Sequence, residues 1–155
     1  MIKVLFVCLG NICRSPMAEA VFRQKLKAAG LTEKIKVDSA ATSRWEVGSL
    51  PHKGTRNILA QQGIDYENIR ATQITAQDLA TYDYIIGMDQ ANVRDLMDLA
   101  SESEKTKIHL FMEPVSGKET QEVPDPYYTG NFQETFHLVT VGTEAWLEKL
   151  KPEIK

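Results

Sequence analysis

Four short runs of β-branched and apolar residues, each followed by a stretch of helical spacing, constrain this chain more than any other feature. The runs are residues 2–7 (IKVLFV), 35–40 (IKVDSA), 82–88 (YDYIIGM) and 107–112 (KIHLFM). The first carries Lys3 as its only charge, which suits a strand buried on both faces of a parallel sheet. Between and after the runs, apolar residues recur at helical intervals. Pro16 fits the first position of a helix over 16–29, and Gly30 is a natural stop. A helix is predicted over 51–62, ended by Gly63. A short one follows over 75–81 with Thr75 as N-cap, and Asp89 caps another that reaches Ala100. The closing helix, 131–150, turns Phe132, Phe136, Val139, Ala145, Trp146 and Leu150 inward.

Strands alternating with helices predict a three-layer α/β fold built on a parallel sheet. Right-handed crossovers place the strand C-termini along one edge, where such sheets bind ligands at a topological switch point. Two long loops, 42–51 and 113–130, remain; the second holds Pro114, Pro124 and Pro126. At 155 residues, with no repeat and no linker, a single domain over 1–155 is expected.

Charge narrows the partners. A net charge of −3 argues against general nucleic-acid affinity while leaving room for a small anion-binding pocket. No apolar stretch approaches the roughly 20 residues that cross a membrane, so no membrane partner is expected. The opening apolar run is too short for a signal-peptide core, which makes the cytoplasm the default and both cysteines thiols.

Chemistry concentrates in residues 8–16, CLGNICRSP. A loop between a buried strand and a helix N-terminus turns several backbone N–H groups toward one point, where the helix dipole adds positive potential. Gly10 allows a tight path, and Asn11 is of the type that best tolerates a left-handed conformation. Arg14 supplies a planar fork for two phosphate-like oxygens. Cys8 at the base of this cradle meets the same amides and guanidinium, which favour a thiolate. Ser15 can hydrogen-bond that sulfur. A thiolate facing a bound phosphate is a nucleophile set for covalent catalysis. The competing reading is a small buried hydrophobe beside an ordinary turn. No Gly-Lys-Ser/Thr follows the loop, so a nucleotide triphosphate site is not indicated.

An ester's departing oxygen needs a proton. Asp125, held between Pro124 and Pro126, can supply it, or it can simply initiate a turn. Tyr127, Tyr128 and Trp45 are either anchors for their loops or walls of a slot for an aromatic ring.

These segments together resemble the low-molecular-weight protein tyrosine phosphatases over essentially the whole chain. The carriers are residues 7–16 (VCLGNICRSP), 38–40 (DSA), 84–89 (YIIGMD) and 125–128 (DPYY). The resemblance implies a four-stranded parallel sheet in the order 2-1-3-4 with helices on both faces. It implies Cys8 as nucleophile, Arg14 as phosphate clamp and Asp125 as general acid, with no metal or other cofactor. Ser15 matches a serine bonded to the nucleophile, and Asn11 and Ser39 match residues that brace the loop. Leu9, Gly10, Asn11, Ile12, Cys13 and Ser15 fall in the substrate-binding loop, and Leu9, Trp45, Tyr127 and Tyr128 match the aromatic slot. Cys13 matches a second cysteine able to form a disulfide with the nucleophile, which implies redox sensitivity. Implied partners are phosphotyrosine proteins or peptides, with phosphate and vanadate as competing ligands, acting on a monomer. The sequence departs from the family pattern at Ile69 and Thr72, where His and Arg are common, which puts the bracing of the loop in question.

Relatives of the same fold offer other chemistries. Arsenate reductases need cysteines downstream of Cys13, and this chain has none. Protein-arginine phosphatases tend to carry Thr where Ile12 stands and to lack the Tyr127–Tyr128 pair. A phosphate-binding module without turnover is a further alternative, against which the joint presence of Cys8, Arg14 and Asp125 speaks. A zinc site on Cys8 and Cys13 would need histidines, and His52, His109 and His137 fall in separate segments.

Overall fold

The computed structural model describes residues 1–155. Its sheet contains β1 (Ile2–Cys8), β2 (Ile35–Ala41), β3 (Tyr84–Gly87) and β4 (Ile108–Leu110), all parallel, in the order β2-β1-β3-β4. Six helices surround it: α1 (Arg14–Ala28), α2 (Lys53–Gln61), α3 (Ala76–Thr81), α4 (Gln90–Leu99), α5 (Pro126–Thr129) and α6 (Phe132–Leu150).

The two-residue period of β1 sorts the core into two layers. Val4, Phe6 and Cys8 face α1 and α6, packing with Met17, Phe22, Leu26, Val139 and Trp146. Leu5 and Val7 face the other side, against Leu79 of α3 and Leu96 of α4. Helices therefore cover both faces. The chain leaves β1 through α1 on one side and leaves β3 through α4 on the other. The switch point falls between the C-terminal ends of β1 and β3, and the Cys8 loop opens there.

Element boundaries differ from the sequence reading for local reasons. α1 begins at Arg14, two residues before Pro16, so the proline sits in the first turn, where its missing N–H has no intrahelical partner to lose. α2 begins at Lys53 because His52 caps it, its Nδ1 accepting the Gly54 N–H at 3.0 Å. β3 starts at Tyr84, since Tyr82 terminates α3 and Asp83 accepts the Lys3 N–H. The 113–130 loop hides the one-turn helix α5: Asp125 caps it, Pro126 opens it, and Gly130 ends it at φ 73°. In α6, Ala145 is half-buried, and Leu138, Gly142 and Leu147 take the inward positions. A side chain at position 142 would run into the Phe111 ring. No helix is long and apolar enough to cross a membrane.

Candidate active site

The Cys8 loop is shaped by one left-handed residue. Asn11 has φ 56°, the sole positive φ outside glycine, and its side chain, only 1% exposed, organises the loop from within. Its Oδ1 accepts the Thr72 N–H at 3.0 Å. That contact fixes the direction of the amide, so Nδ2 donates to Ser15 Oγ at 2.7 Å and to Ser39 Oγ at 2.9 Å. Ser39 Oγ in turn donates to Glu19 Oε1 at 2.6 Å, and Arg23 pairs with the same carboxylate. Burial raises the Glu19 carboxyl above the usual range, against the pull of Ser39 and Arg23. The polarity has a consequence at the nucleophile. Ser15 Oγ already accepts a hydrogen bond from Asn11 Nδ2, so its own O–H is free to point at Cys8 Sγ, 3.0 Å away. A hydrogen bond donated to sulfur favours the thiolate.

Thr72 enters this network through its backbone, and its Oγ1 also donates to Ser39 O at 3.3 Å. Ile69 is buried in the core. The network thus closes without the His and Arg that the family often carries at these two positions.

Arg14 is 2% exposed. Its NH1 donates to Asp89 Oδ2 at 2.7 Å and to Val123 O at 3.0 Å, and its NH2 to Asp125 Oδ2 at 3.3 Å. Burial works against the guanidinium charge, but Cys8, Asp89 and Asp125 outweigh it and hold Arg14 more firmly protonated than usual. Its Nε is buried without a partner. The backbone amides of residues 9–13 likewise donate to no group of the protein. Five consecutive free amides and two free guanidinium N–H groups, that of Nε and the second of NH2, are what a tetrahedral oxyanion needs, and phosphate fits this donor set.

Cys8, Leu9, Gly10, Ile12, Cys13, Trp45, Glu46, Asp125, Tyr127 and Tyr128 line one cleft of about 150 Å³. Its floor is buried, with Cys8 and Cys13 each 3% exposed. Its walls are not: Trp45 is 76%, Tyr127 58% and Tyr128 74% exposed. Burial, then the nearby charges of Cys8 and Asp125, pushes the Cys13 thiol well up. A larger depression, about 680 Å³, lies at the opposite edge of the sheet beside Ile2 and Tyr84. It holds no cysteine and no arginine, and its Lys34 and Lys107 are occupied by backbone carbonyls. The chemistry therefore belongs to the smaller cleft.

The structure brings together every residue singled out from the sequence. Cys8, Leu9, Gly10, Ile12, Cys13, Trp45, Asp125, Tyr127 and Tyr128 line the cleft, Arg14 sits behind it, and Asn11, Ser15 and Ser39 form the network beneath. Three contributors escaped the sequence reading. Asp89 is the expected helix cap through Oδ1 but grips Arg14 through Oδ2. Glu19 ends the hydrogen-bonded chain, and Glu46, held by Ser49, joins the rim.

A cysteine and an arginine enclosing free amides after the first strand of a switch-point sheet define a cysteine-based phosphate-ester site. The particular lineage follows from comparison with known proteins. Residues 3–155 match the family described as low molecular weight phosphotyrosine protein phosphatase. The chain is 46% identical over 153 residues to the low molecular weight protein-tyrosine-phosphatase YfkJ of Bacillus subtilis, covering 99% of this chain and 98% of that one. The YfkJ crystal structure superimposes with a TM-score of 0.96, covering 99% of this chain and 96% of that one. PtpA of Staphylococcus epidermidis, also a low molecular weight protein-tyrosine-phosphatase, is 45% identical over 139 residues, 90% of this chain and 87% of PtpA. The Drosophila arginine phosphatase DARP is more distant, at 35% identity and a TM-score of 0.89 over 97% of this chain and 98% of that one. The chain belongs to the low molecular weight phosphotyrosine protein phosphatase family.

Proposed function

We propose that this protein hydrolyses phosphotyrosine and related aryl phosphates through a cysteinyl-phosphate intermediate. The observation that carries the reading is the arrangement around Cys8: a serine hydroxyl 3.0 Å from the sulfur, five free amides, and an unpaired Nε–H on Arg14. Cys8 Sγ attacks phosphorus while the amides and Arg14 hold the non-bridging oxygens as their charge redistributes. Asp125 protonates the departing phenolate and then accepts a proton from the water that cleaves the S–P bond. Its Oδ2 lies 3.3 Å from the guanidinium that binds the phosphate, which keeps the acid beside the reacting group. Ser15 donates to Sγ again as the thiolate departs.

The aryl preference rests on Trp45, Tyr127 and Tyr128 above a buried floor: a phenyl ring spans the slot, and a serine ester is too short to. Ile12 and the tyrosine pair favour this substrate over phosphoarginine. Phosphate and vanadate, which need only the floor, should compete. The deciding experiment compares turnover of phosphotyrosine, phosphoserine and phosphoarginine by the wild type and by Cys8→Ser. Strong preference for phosphotyrosine, and a Cys8→Ser variant that binds vanadate without turnover, are expected. Equal rates on phosphoserine, a preference for phosphoarginine, or full activity in Cys8→Ser would overturn the reading.

A further inference from the structure

His52 lies outside the cleft, yet three elements of the site meet on it. Its backbone N–H donates to Ile12 O at 2.7 Å, tying it to the phosphate loop, and Thr55 Oγ1 adds a bond to Cys13 O at 3.1 Å from the same helix end. Its Nδ1 caps α2. Its ring stacks on Phe132 at the start of α6, with centroids 5.0 Å apart and planes 20° apart. The opposite neighbour is Tyr127, edge-on at 6.0 Å and 82°, and Tyr127 meets Tyr128 at 5.3 Å and 78°. An aromatic ladder therefore runs Phe132–His52–Tyr127–Tyr128, from the closing helix to the mouth of the cleft. Gly54 makes room for it, because a Cβ there would lie 2.5 Å from the Phe132 ring.

Tyr127 is 58% exposed and sits on the single-turn helix α5. One turn has little intrinsic stability, so the wall needs outside support. Asp125 Oδ1 accepts the Tyr127 N–H at 3.1 Å, which couples the wall to the proposed acid. Arg14 holds the segment before the wall, at Val123 O and Asp125 Oδ2; the His52 ring is the contact from the phosphate-loop side that reaches Tyr127 itself.

We infer that His52 is a positioning residue for aryl-ester specificity: its ring, separately from its capping nitrogen, holds Tyr127 at the distance from the phosphate loop that a phosphorylated aromatic ring requires. The inference rests on the aryl-phosphatase reading above and adds a residue that touches neither phosphate nor nucleophile.

Two substitutions separate ring from cap. His52→Asn keeps a good capping acceptor and removes the ring; His52→Phe keeps an aromatic ring and removes the acceptor. For each variant, KM and kcat on phosphotyrosine, the inhibition constant of inorganic phosphate, and Tm are measured beside the wild type. His52→Asn should raise KM for phosphotyrosine roughly two- to tenfold, the span of one lost aromatic contact, with phosphate inhibition and Tm near wild type. His52→Phe should restore KM and lower Tm by a few degrees, on the order expected for a lost cap. An unchanged KM in His52→Asn would overturn the inference. So would a parallel weakening of phosphate, which would mean that the floor rather than the wall had moved. A wild type inactive on phosphotyrosine removes the functional reading and this inference together, whereas an active wild type with an indifferent His52→Asn removes this inference alone.

Discussion

Replacing Asp89 tests whether Arg14 is held from across the switch point. Asp89 follows β3, Arg14 begins the helix after β1, and their 2.7 Å ion pair spans the two loops. The carboxylate has two tasks: Oδ1 accepts the Asn92 N–H at 2.8 Å as the α4 cap, and Oδ2 holds Arg14. Asp89→Ser keeps a capping oxygen and removes the charge. Stripping one partner from a buried ion pair costs about 3–5 kcal/mol when the other charge is left alone. Here Arg14 keeps Val123 O and Asp125, and the Asp89 side chain is 23% exposed, so about 2–3 kcal/mol is the better figure. At roughly 2–4 °C per kcal/mol for a chain of this size, Tm should fall by about 4–12 °C. Asp89→Ala should fall further by the worth of a cap, about 1 kcal/mol. Arg14 would then lean on Asp125, its remaining carboxylate, drawing its fork away from the phosphate and engaging the acid. kcat/KM should drop on the order of 10–100-fold, short of the 10²–10³ lost when an oxyanion donor is deleted. Thermal and urea unfolding with steady-state kinetics on one preparation give all three quantities. A Ser variant with wild-type Tm and activity would show that Val123 O and Asp125 fix Arg14 without Asp89.

Two further outcomes are expected. Asp125→Asn should slow turnover by roughly 10²–10⁴-fold on esters with basic leaving groups and much less on those that leave unprotonated; a uniform loss across a leaving-group series would make Asp125 structural. Peroxide should inactivate the enzyme and dithiothreitol restore it, with Cys8 oxidised first and Cys13 closing a disulfide. Cys13→Ser should keep most of its activity but lose that recovery, and full recovery in the variant would deny Cys13 a protective role.

Much of the site was legible because its functional groups lie close together in the chain. Cys8 through Ser15 form one strand–loop–helix junction, and the conformation of Asn11 follows from what an asparagine side chain tolerates. Asp125 and its tyrosines are likewise one short segment, although the helical turn they form went unread: the same Asp-Pro signal serves a turn and a helix start. What could not be read depends on tertiary distance. Asp89 announces itself as a cap because its partner is three residues away, whereas Arg14 is 75 residues away and across the sheet. Glu19 looks like a surface residue of a helix until Ser39, from β2, is placed against it. Ile69 and Thr72 pointed toward a weakened network, since side-chain identity hides the backbone N–H that Thr72 contributes.

That backbone contact explains how the loop stays braced with different side chains around it. The polarity of the chain Thr72–Asn11–Ser15–Cys8 begins at an amide proton, which any residue except proline supplies. The donors left free for phosphate in the proposed mechanism are also amides, with Arg14 the one side chain among them. Recognition of the phosphoryl group is therefore built from parts that most substitutions cannot remove. The slot walls are the reverse: exposed side chains, Trp45 on a loop and Tyr127 and Tyr128 on the single turn α5, with the tyrosines steadied by edge-to-face contacts rather than burial. Floor contacts grip the phosphoryl group, which every ester shares, so they cannot discriminate among esters. Selectivity must come from the walls, through whether an ester reaches from Trp45 and the tyrosines down to Cys8. Substitutions at Trp45, Tyr127 or Tyr128 should accordingly redistribute substrates while leaving phosphate affinity in place, and substitutions beneath the loop should lower turnover of every ester together.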